Sequence, residues 1–363
     1  MKIMKRIFVT ILLLLFAAPV AAQEVNMEFV RAKVQSVEET DRNLPAGRQA
    51  GETKQSVMLK LVSGPDKNQN VEIENSVIGN RDDLRIIEGE KVVLQRFTRP
   101  DGTVDYFFQE KYRIPSLIFL LILFFILGAL IGGRKGVSSI IGLLVSIAFI
   151  VFLIIPLILK GTSPLLVTII GSLLIACSTI YVAHGINRRT TLALTAVLFT
   201  LVFAVILAIL AVYFSNLFGL GSEESVFLQF DSTSQINLRG VLLSGIIIGA
   251  LGVLDDIATT QVAAIDELKR ANPKYEFHNL YKSGISIGRE HVAAMINTLA
   301  LAYIGASLPL FLLFYINKDV PAWVTFNSAF LAEEIVRTLV GSAALLLAVP
   351  ISTWLAAKAF SKK

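Results

Sequence analysis

The chain has 363 residues, of which 54% are hydrophobic and only 17% are charged, and its net charge is +5. A soluble domain would carry about a quarter of charged residues, and several apolar runs here exceed the ~18 residues typical of a membrane span. The composition therefore excludes an ordinary soluble protein. It also gives no sign of nucleic-acid binding, because most Lys and Arg residues lie in loops, as membrane topology requires.

The first 22 residues have the pattern of a secretory signal peptide. The basic residues Lys2, Lys5 and Arg6 precede a short apolar run, which ends in small residues before a cleavage site after Ala22. Because the apolar run is shorter than a membrane span, we expect cleavage, with an uncleaved anchor as the alternative. Either outcome places the next residues outside the cytoplasm.

Residues 23–112 are polar and predict a small extracytoplasmic β-rich domain, a barrel or a sandwich. Five short runs rich in Val, Ile and Phe predict strands: EFVRAKVQSV, SVMLKLV, NVEIENSVI, KVVLQRF and TVDYFFQ. Residues 41–54 have neither helical nor strand periodicity and are interpreted as a flexible loop. The domain has no catalytic motif, which favours a module that docks an extracytoplasmic protein partner.

Residues 113–363 predict a mainly α transmembrane domain, a bundle of seven helices. The predicted spans are about 114–133, 137–159, 164–183, 190–214, 239–265, 291–315 and 332–357.

The loops of this domain differ strongly in positive charge. If the first span enters from outside, twelve Lys and Arg residues face inward and three face outward. The inward set is Arg134, Lys135, Arg188, Arg189, Lys269, Arg270, Lys274, Lys282, Arg289, Lys358, Lys362 and Lys363, and the outward set is Lys160, Arg239 and Lys318. The positive-inside rule then places the C-terminus in the cytoplasm.

Two adjacent carboxylates, Asp255 and Asp256, lie inside the fifth predicted span. Fifteen uncharged residues separate Arg239 from Asp255 and cover about 22 Å of a core about 30 Å thick, so the pair lies about 8 Å short of the inner boundary. An ionisable residue at this depth is costly and indicates function, whereas an outward shift of the helix would make the pair a solvated interfacial cap.

The sixth predicted span offers partners for this pair at matching depth. Asn297 and Thr298 are predicted to hydrogen-bond the aspartates, and His291 is predicted to lie at the cytoplasmic mouth and to pass protons. The small residues Gly245, Gly249 and Gly252 predict close helix packing on the same helix as the aspartates.

A second polar cluster is predicted near the outer face. Glu333 and Arg337 are four residues apart, Glu334 also reaches Arg337, and Arg239 begins the neighbouring polar helix at similar depth. An interfacial ion-pair cluster and a gate or substrate contact are both compatible with this pattern.

No catalytic, cofactor or metal site is predicted. The histidines at 184, 278 and 291 lack ligand spacing and are interpreted as scattered interfacial residues, with a metal site as the alternative. GGRKG lacks the Walker pattern, and HExxH is absent.

Three long segments carry a family resemblance: GALGVLDDIATTQVAAIDEL, GREHVAAMINTLALAYIGASLPL and EEIVRTLVGSAALLLAVPI. They resemble the signature segments of YibE/F-like membrane proteins, and this resemblance implies a multi-pass protein of the bacterial inner membrane. A shorter pattern, a glycine-rich helix that reaches an Asp before a polar span with an Asn, is similar to part of the SecD/SecF and RND-type export proteins. In those proteins intramembrane acidic residues relay protons.

Three functions remain open at this stage. The first is ion- or proton-coupled transport or export, in which two close carboxylates disfavour double ionisation and exchange a proton. The second is a non-transporting assembly or regulatory factor that binds its partner through the β domain. The third is an intramembrane enzyme, which has least support because the deep carboxylates are neighbours on one helix.

Overall fold

A computed structural model of the chain describes residues 27–42, 52–78, 81, 83–99, 101–230, 236–316 and 320–362. The predicted signal peptide, residues 1–22, lies outside these ranges. The chain forms two compact units that meet in sequence between Ile126 and Leu127. Each unit is described below by itself.

The first unit contains the five predicted strands in one antiparallel sheet. They are β1 (Met27–Arg42), β2 (Glu52–Leu61), β3 (Asn70–Ile78), β4 (Lys91–Thr98) and β5 (Val104–Lys111). Their spatial order is β3-β2-β1-β4-β5, with hydrogen bonds only between neighbours in this order. Because the described strands form one curved sheet, the unit is a half-barrel and not a two-sheet sandwich.

Alternating side chains explain why this sheet has a core on one face only. Val30, Ala32 and Val34 of β1 are buried, and their intervening neighbours are exposed. The ends of the predicted loop 41–54 belong to the sheet, because Asp41 pairs with Thr53. The loop prediction was wrong there, since the pairing of β1 with β2 outweighs the weak periodicity.

An acidic side chain ties the turn after β2 to the far strands of the sheet. The Tyr106 hydroxyl donates to Asp66 Oδ2 over 2.6 Å, and Arg96 Nε donates to the same oxygen over 2.8 Å. These two donors, the Tyr106 hydroxyl first, hold the pKa of Asp66 below its usual value of 3.8.

The second unit is helical. Its elements in chain order are α1 (Ile114–Phe149), a π-helical segment (Ile150–Ile154), α2 (Ile155–Leu159), α3 (Pro164–His184), α4 (Arg188–Phe214), α5 (Glu223–Phe230), α6 (Leu238–Ala271), α7 (Phe277–Ala306), α8 (Leu308–Ile316), α9 (Ala322–Phe326) and α10 (Ala329–Phe360). The first residues of α1, up to Ile126, belong to the strand unit.

The first helix of this series is broken at Gly133, where φ is 54° and ψ is −137°. A Cβ built on Gly128 would lie 3.1 Å from Ile140 Cδ1, although twelve residues of straight helix extend about 18 Å. The backbone therefore folds back at Gly133, in the interval between the predicted spans 114–133 and 137–159. The positive φ explains the use of glycine at this position.

Five helical stretches in the described ranges are long and apolar enough to cross a membrane. They are Ile114–Leu159, Pro164–His184, Arg188–Phe214, Leu238–Ala271 and Ala329–Phe360. The predicted span 291–315 falls on α7 and α8, which do not meet the same criterion. The folded-back stretch 114–159 counts as one of the five although it covers two predicted spans.

Helix α6 is the centre of the helical unit and packs against α3, α4, α7 and α10. Buried polar side chains join these helices. Thr168 of α3 donates to Ser244 of α6 over 2.7 Å, and Gln261 of α6 donates to Gly284 O over 2.6 Å and to Thr353 Oγ1 over 2.8 Å. Such bonds fix the rotation of α6 because side-chain partners inside an apolar bundle are few.

Candidate functional site: an acidic cavity beside the central helix

Helix α6 determines where the two aspartates lie. Asn237 begins the helix by accepting a hydrogen bond from Gly240 N over 3.0 Å, and the helix continues without a break to Ala271. Asp255 and Asp256 occur halfway along it, after a buried run that faces the core. Consecutive helical residues point about 100° apart, so Asp255 is half-buried and Asp256 is exposed.

Asp255 faces α3 and has a hydroxyl partner there. Thr179 Oγ1 lies 3.2 Å from Asp255 Oδ2, and it also lies 2.9 Å from the carbonyl oxygen of Ile175 one turn earlier. A threonine hydroxyl has one hydrogen and can donate to only one of these acceptors at a time. The hydroxyl hydrogen therefore has two competing acceptors, one on α6 and one on α3.

Both aspartates open onto a cavity of about 300 Å³. Three stretches line it: α1 after Gly133, the end of α3, and the middle of α6. Its lining residues are Ser139, Gly142, Leu143, Ser146, Thr179, Ala183, His184, Gly252, Asp255, Asp256 and Thr259. The cavity thus combines two carboxylates, four hydroxyls and one imidazole, all groups that hold water or a small cation or transfer a proton.

A second cavity of about 540 Å³ adjoins the first, because Ala183, His184 and Thr259 line both. Its lining includes the cations Lys135 and Arg189. The charge along the two cavities therefore changes from basic to acidic. A basic entrance repels metal cations, whereas a proton can move between bound waters and side chains.

The predicted partners in the following span do not reach this cavity. Gly288 of α7 lies beside Gln261 of α6, so the two helices are antiparallel as predicted. Asn297 and Thr298 are exposed and do not line the cavity, and Thr298 Oγ1 donates to Ala294 O of its own helix over 3.1 Å. The rotation of α7 therefore turns them away from the aspartates.

The predicted proton relay through His291 is also not formed by the described residues. His291 Nε2 is buried and makes no hydrogen bond in the described ranges, and His291 lines neither cavity. The histidine beside the acidic pair is His184 at the end of α3. No group of three His, Cys, Asp or Glu side chains among the described residues could hold a metal ion.

The three predicted packing glycines behave differently from one another. A Cβ on Gly249 would lie 3.3 Å from the Tyr303 hydroxyl, which is a close approach between α6 and α7. A Cβ on Gly245 or Gly252 would meet no atom within 4 Å. Gly252 instead lines the acidic cavity, so its missing side chain leaves room beside the aspartates.

The second polar cluster lies at the end of the helical unit where Arg239 begins α6, here called the Arg239 end. Of the two predicted partners of Arg337, Glu334 forms the ion pair, over 2.9 Å, and Glu333 does not. Glu333 is buried and accepts a hydrogen bond from Gly221 N over 2.9 Å. The loop before α5 therefore competes successfully for this carboxylate.

Arg239 belongs to the same end but has other partners. Its Nε donates to Leu217 O over 2.8 Å, and its guanidinium lies 4.4 Å from the centre of the Phe218 ring. Arg239 and Glu333 thus both hold the loop after α4, one through a carbonyl and the other through an amide. The cluster fixes a loop, and two of its charged residues, Glu334 and Arg239, line separate cavities.

Sequence reasoning missed Ser139, Ser146, Thr179 and His184 as neighbours of the aspartates. A depth estimate for every span, and not only for the adjacent one, would have found Thr179 and His184 at the inward end of the third span. The serines could not be placed, because the rotation of α1 depends on the break at Gly133 and on the π-helical segment that follows.

The fold and the site define a helical protein compatible with multiple membrane crossings, whose central helix presents an acidic pair to a polar cavity. Residues 120–362 match the family described as YibE/F-like protein, and this match covers more than half of the chain. The chain therefore belongs to the YibE/F-like family, as its sequence segments predicted. The match begins inside α1, so the β domain lies outside it. No curated protein and no solved structure matches the chain.

Proposed function

We propose that the protein is an ion- or proton-coupled transport or export component in which Asp255 and Asp256 take up and release the coupling ion. One observation carries the proposal: both carboxylates line a cavity rich in hydroxyls, directly after a stretch of α6, residues 240–254, that carries no charge. Carboxylates at such positions are costly and are retained for a function.

The geometry gives the two carboxylates different parts in the cycle. Thr179 fixes Asp255, whereas the side chain of Asp256 makes no hydrogen bond or ion pair with a described residue. Two adjacent carboxylates disfavour double ionisation, so the pair holds one proton or one cation readily. Asp256 exchanges it with the cavity, and Asp255 stores it while the Thr179 hydroxyl turns from Asp255 to Ile175 O.

The adjoining cavity favours the proton among the possible coupling ions. Lys135 and Arg189 line the approach, and a fixed positive charge disfavours the entry of sodium. His184 lines both cavities, and an imidazole can accept and donate a proton there.

The proposal includes the topology predicted from the sequence. In this topology the protein lies in the bacterial inner membrane and crosses it seven times. Its signal peptide is cleaved, its β domain is extracytoplasmic and its C-terminus is cytoplasmic. The fold-back at Gly133 supports two crossings within 114–159, and the charge asymmetry of the loops supports the orientation.

The test is proton flux into proteoliposomes that contain a pH-sensitive dye. We expect Asp255→Asn and Asp256→Asn each to reduce the flux at least tenfold. Glu290→Gln is the matched control, because Glu290 is an exposed carboxylate on α7 that lines neither cavity. Unchanged flux in both aspartate variants would exclude the proposed role of the pair.

A second candidate function is a non-transporting assembly or regulatory factor. Phe29 of β1 and Phe107 of β5 both pair with Gln95 of β4, and their side chains are 63% and 55% exposed. Two aromatic side chains in one row on an exposed sheet face are suited to bind an extracytoplasmic protein partner.

Deletion of residues 23–112 separates the two functions. Flux that survives the deletion favours transport by the helical unit. The assembly factor is favoured if the wild-type protein shows no flux but can be cross-linked to a partner. That partner should then be lost both in the deletion and in the Phe29→Ser, Phe107→Ser double variant.

A further inference from the structure

A third cavity lies on the outside of the helical unit and shares no lining residue with the acidic cavity. It is an apolar groove of about 390 Å³ between α4, α7 and α10, here called the α4–α10 groove. Its lining residues are Phe199, Phe203, Tyr281, Pro350, Ile351, Trp354 and Leu355. The volume is within the range of about 300–1,000 Å³ found for ligand sites.

The position of the groove determines which class of molecule reaches it. Helices α4 and α10 are both long and apolar enough to cross a membrane, and Phe199 and Phe203 of α4 are exposed on the surface of the unit. In a bilayer this surface is in contact with acyl chains. An apolar recess there accepts a hydrocarbon chain and excludes polar solutes.

One end of the groove carries a positive charge. Lys358 Nζ lies 4.6 Å from the centre of the Trp354 ring, one helical turn beyond the lining residues of α10. Lys358 makes no ion pair with any described residue, so its charge is not neutralised within the unit. A lysine above an interfacial tryptophan has the arrangement of a snorkelling cation at the level of lipid headgroups.

A stacked aromatic pair extends the same end of the groove. The rings of Phe277 and Tyr281 lie 5.8 Å apart with an angle of 15° between their planes. Lys282 follows Tyr281 in the chain, so basic and aromatic residues alternate beside the groove on α7 as well as on α10. Interfacial aromatics with adjacent lysines match a negatively charged headgroup attached to an apolar chain.

We infer that the α4–α10 groove binds an anionic phospholipid, with one acyl chain in the groove and the headgroup phosphate on Lys358. The charge at the groove end selects an anionic lipid over a zwitterionic one. The inference is independent of the proposed transport function, because the groove shares no lining residue with the acidic cavity.

The two tryptophans of the chain allow a direct test. In a Trp323→Phe variant the remaining tryptophan, Trp354, lines the groove. The full chain is reconstituted in phosphatidylcholine vesicles that contain increasing fractions of brominated phosphatidylglycerol or of brominated phosphatidylcholine. We expect half-maximal quenching of Trp354 at an about fivefold lower fraction of the anionic lipid, the ratio expected for one basic residue near an anionic headgroup.

Matched variants distinguish a site from general attraction to the surface. In the same background, Lys358→Gln should remove the preference for the anionic lipid, and Lys160→Gln should leave it intact. A Trp354→Phe variant, which keeps exposed Trp323, should show equal quenching by both lipids. Equal quenching of Trp354 by both lipids, or a preference that survives Lys358→Gln, would overturn the inference.

Discussion

Thr179 of α3 and Asp255 of α6 form a hydrogen bond of 3.2 Å between two helices that are far apart in sequence. The bond faces the acidic cavity, and the same hydroxyl has a second acceptor in its own helix. In the proposed function, the charge of Asp255 decides which of these two acceptors receives the hydroxyl hydrogen. We therefore expect the packing of α3 against α6 to depend on the protonation of Asp255.

The first prediction removes this hydroxyl. Thr179→Val keeps the shape of the side chain but leaves Asp255 without its donor. A hydrogen bond to a charged group contributes about 1.5–3 kcal/mol, so we expect the proton flux to fall about tenfold or more. Thr179→Ser should retain most of the flux. Thr298→Val, which removes a hydroxyl bonded within its own helix, is the control, and equal flux in both valine variants would contradict the role of Thr179.

The second prediction concerns water in the acidic cavity. In a Cys177→Ser background, which has no other cysteine, Ser146→Cys should react with a water-soluble thiol reagent in native membranes. Addition of Gly252→Leu should slow the labelling severalfold, because the new side chain occupies space beside the aspartates. Gly245→Leu is the matched control, since both glycines have no neighbour within 4 Å. A cavity closed to water would leave the cysteine unlabelled in all variants.

The sequence predicted the strands and most of the helices, because each follows from local periodicity. It did not predict which helices share a face with Asp255. Asn297 lies on a helix that packs against α6 but is exposed and does not line the acidic cavity, because helix rotation depends on side chains from the four helices that pack on α6.

The glycines of α6 also show that a single sequence does not identify the neighbours of a helix face. Small-residue spacing on α6 predicted close packing at three positions, but closer helix approaches occur at Gly171 of α3 and at Gly284 and Gly288 of α7. The spacing of small residues indicates only that one face of a helix carries small side chains. Whether a neighbour fills the space depends on the partner helix, which a single sequence does not identify.

The third prediction tests this packing. A Cβ on Gly288 would collide with Val349 and lie 3.2 Å from Gln261 Nε2, so Gly288→Ala should destabilise the protein by about 1–3 kcal/mol. Gly252→Ala has free space and replaces glycine in a helix, so its stability should be unchanged or higher. The melting temperature in detergent measures both. A Gly288→Ala protein as stable as the wild type would exclude the close approach of α7 to Val349 of α10.

The fourth prediction concerns the loop at the Arg239 end. Glu333→Ala leaves the Gly221 amide without its acceptor, and an unsatisfied buried group costs about 1–3 kcal/mol. We expect amide hydrogen exchange in residues 217–222 to accelerate about tenfold. Glu334→Ala breaks a partly exposed ion pair with Arg337 and should change this exchange little. Equal acceleration in both variants would show that the loss of a negative charge, and not the loss of the contact between Glu333 and the Gly221 amide, controls the exchange.

The fifth prediction is a pH dependence in the β domain. Because the pKa of Asp66 is lowered in the folded state, its stabilising effect is complete above its unfolded value of 3.8 and is lost as the pH falls through the folded pKa. Asp66→Asn should therefore accelerate amide exchange in β4 and β5 about tenfold at pH 7, and this ratio should begin to fall below pH 3.8 and approach one as the pH passes below the folded pKa. Asp83→Asn, at an exposed pair with Arg81, should give a ratio near one at every pH.

The π-helical segment Ile150–Ile154 has a consequence for the serines of the acidic cavity. A π turn accommodates one residue more than an α turn, and Ile154 at its end packs on Gly171 of α3. The additional residue thus changes the rotation of the preceding helix, which carries Ser139 and Ser146, relative to Ile154, which packs on α3. Without it, both hydroxyls would be rotated by about 100° away from Asp255, so the length of this segment controls which chemistry the aspartates meet.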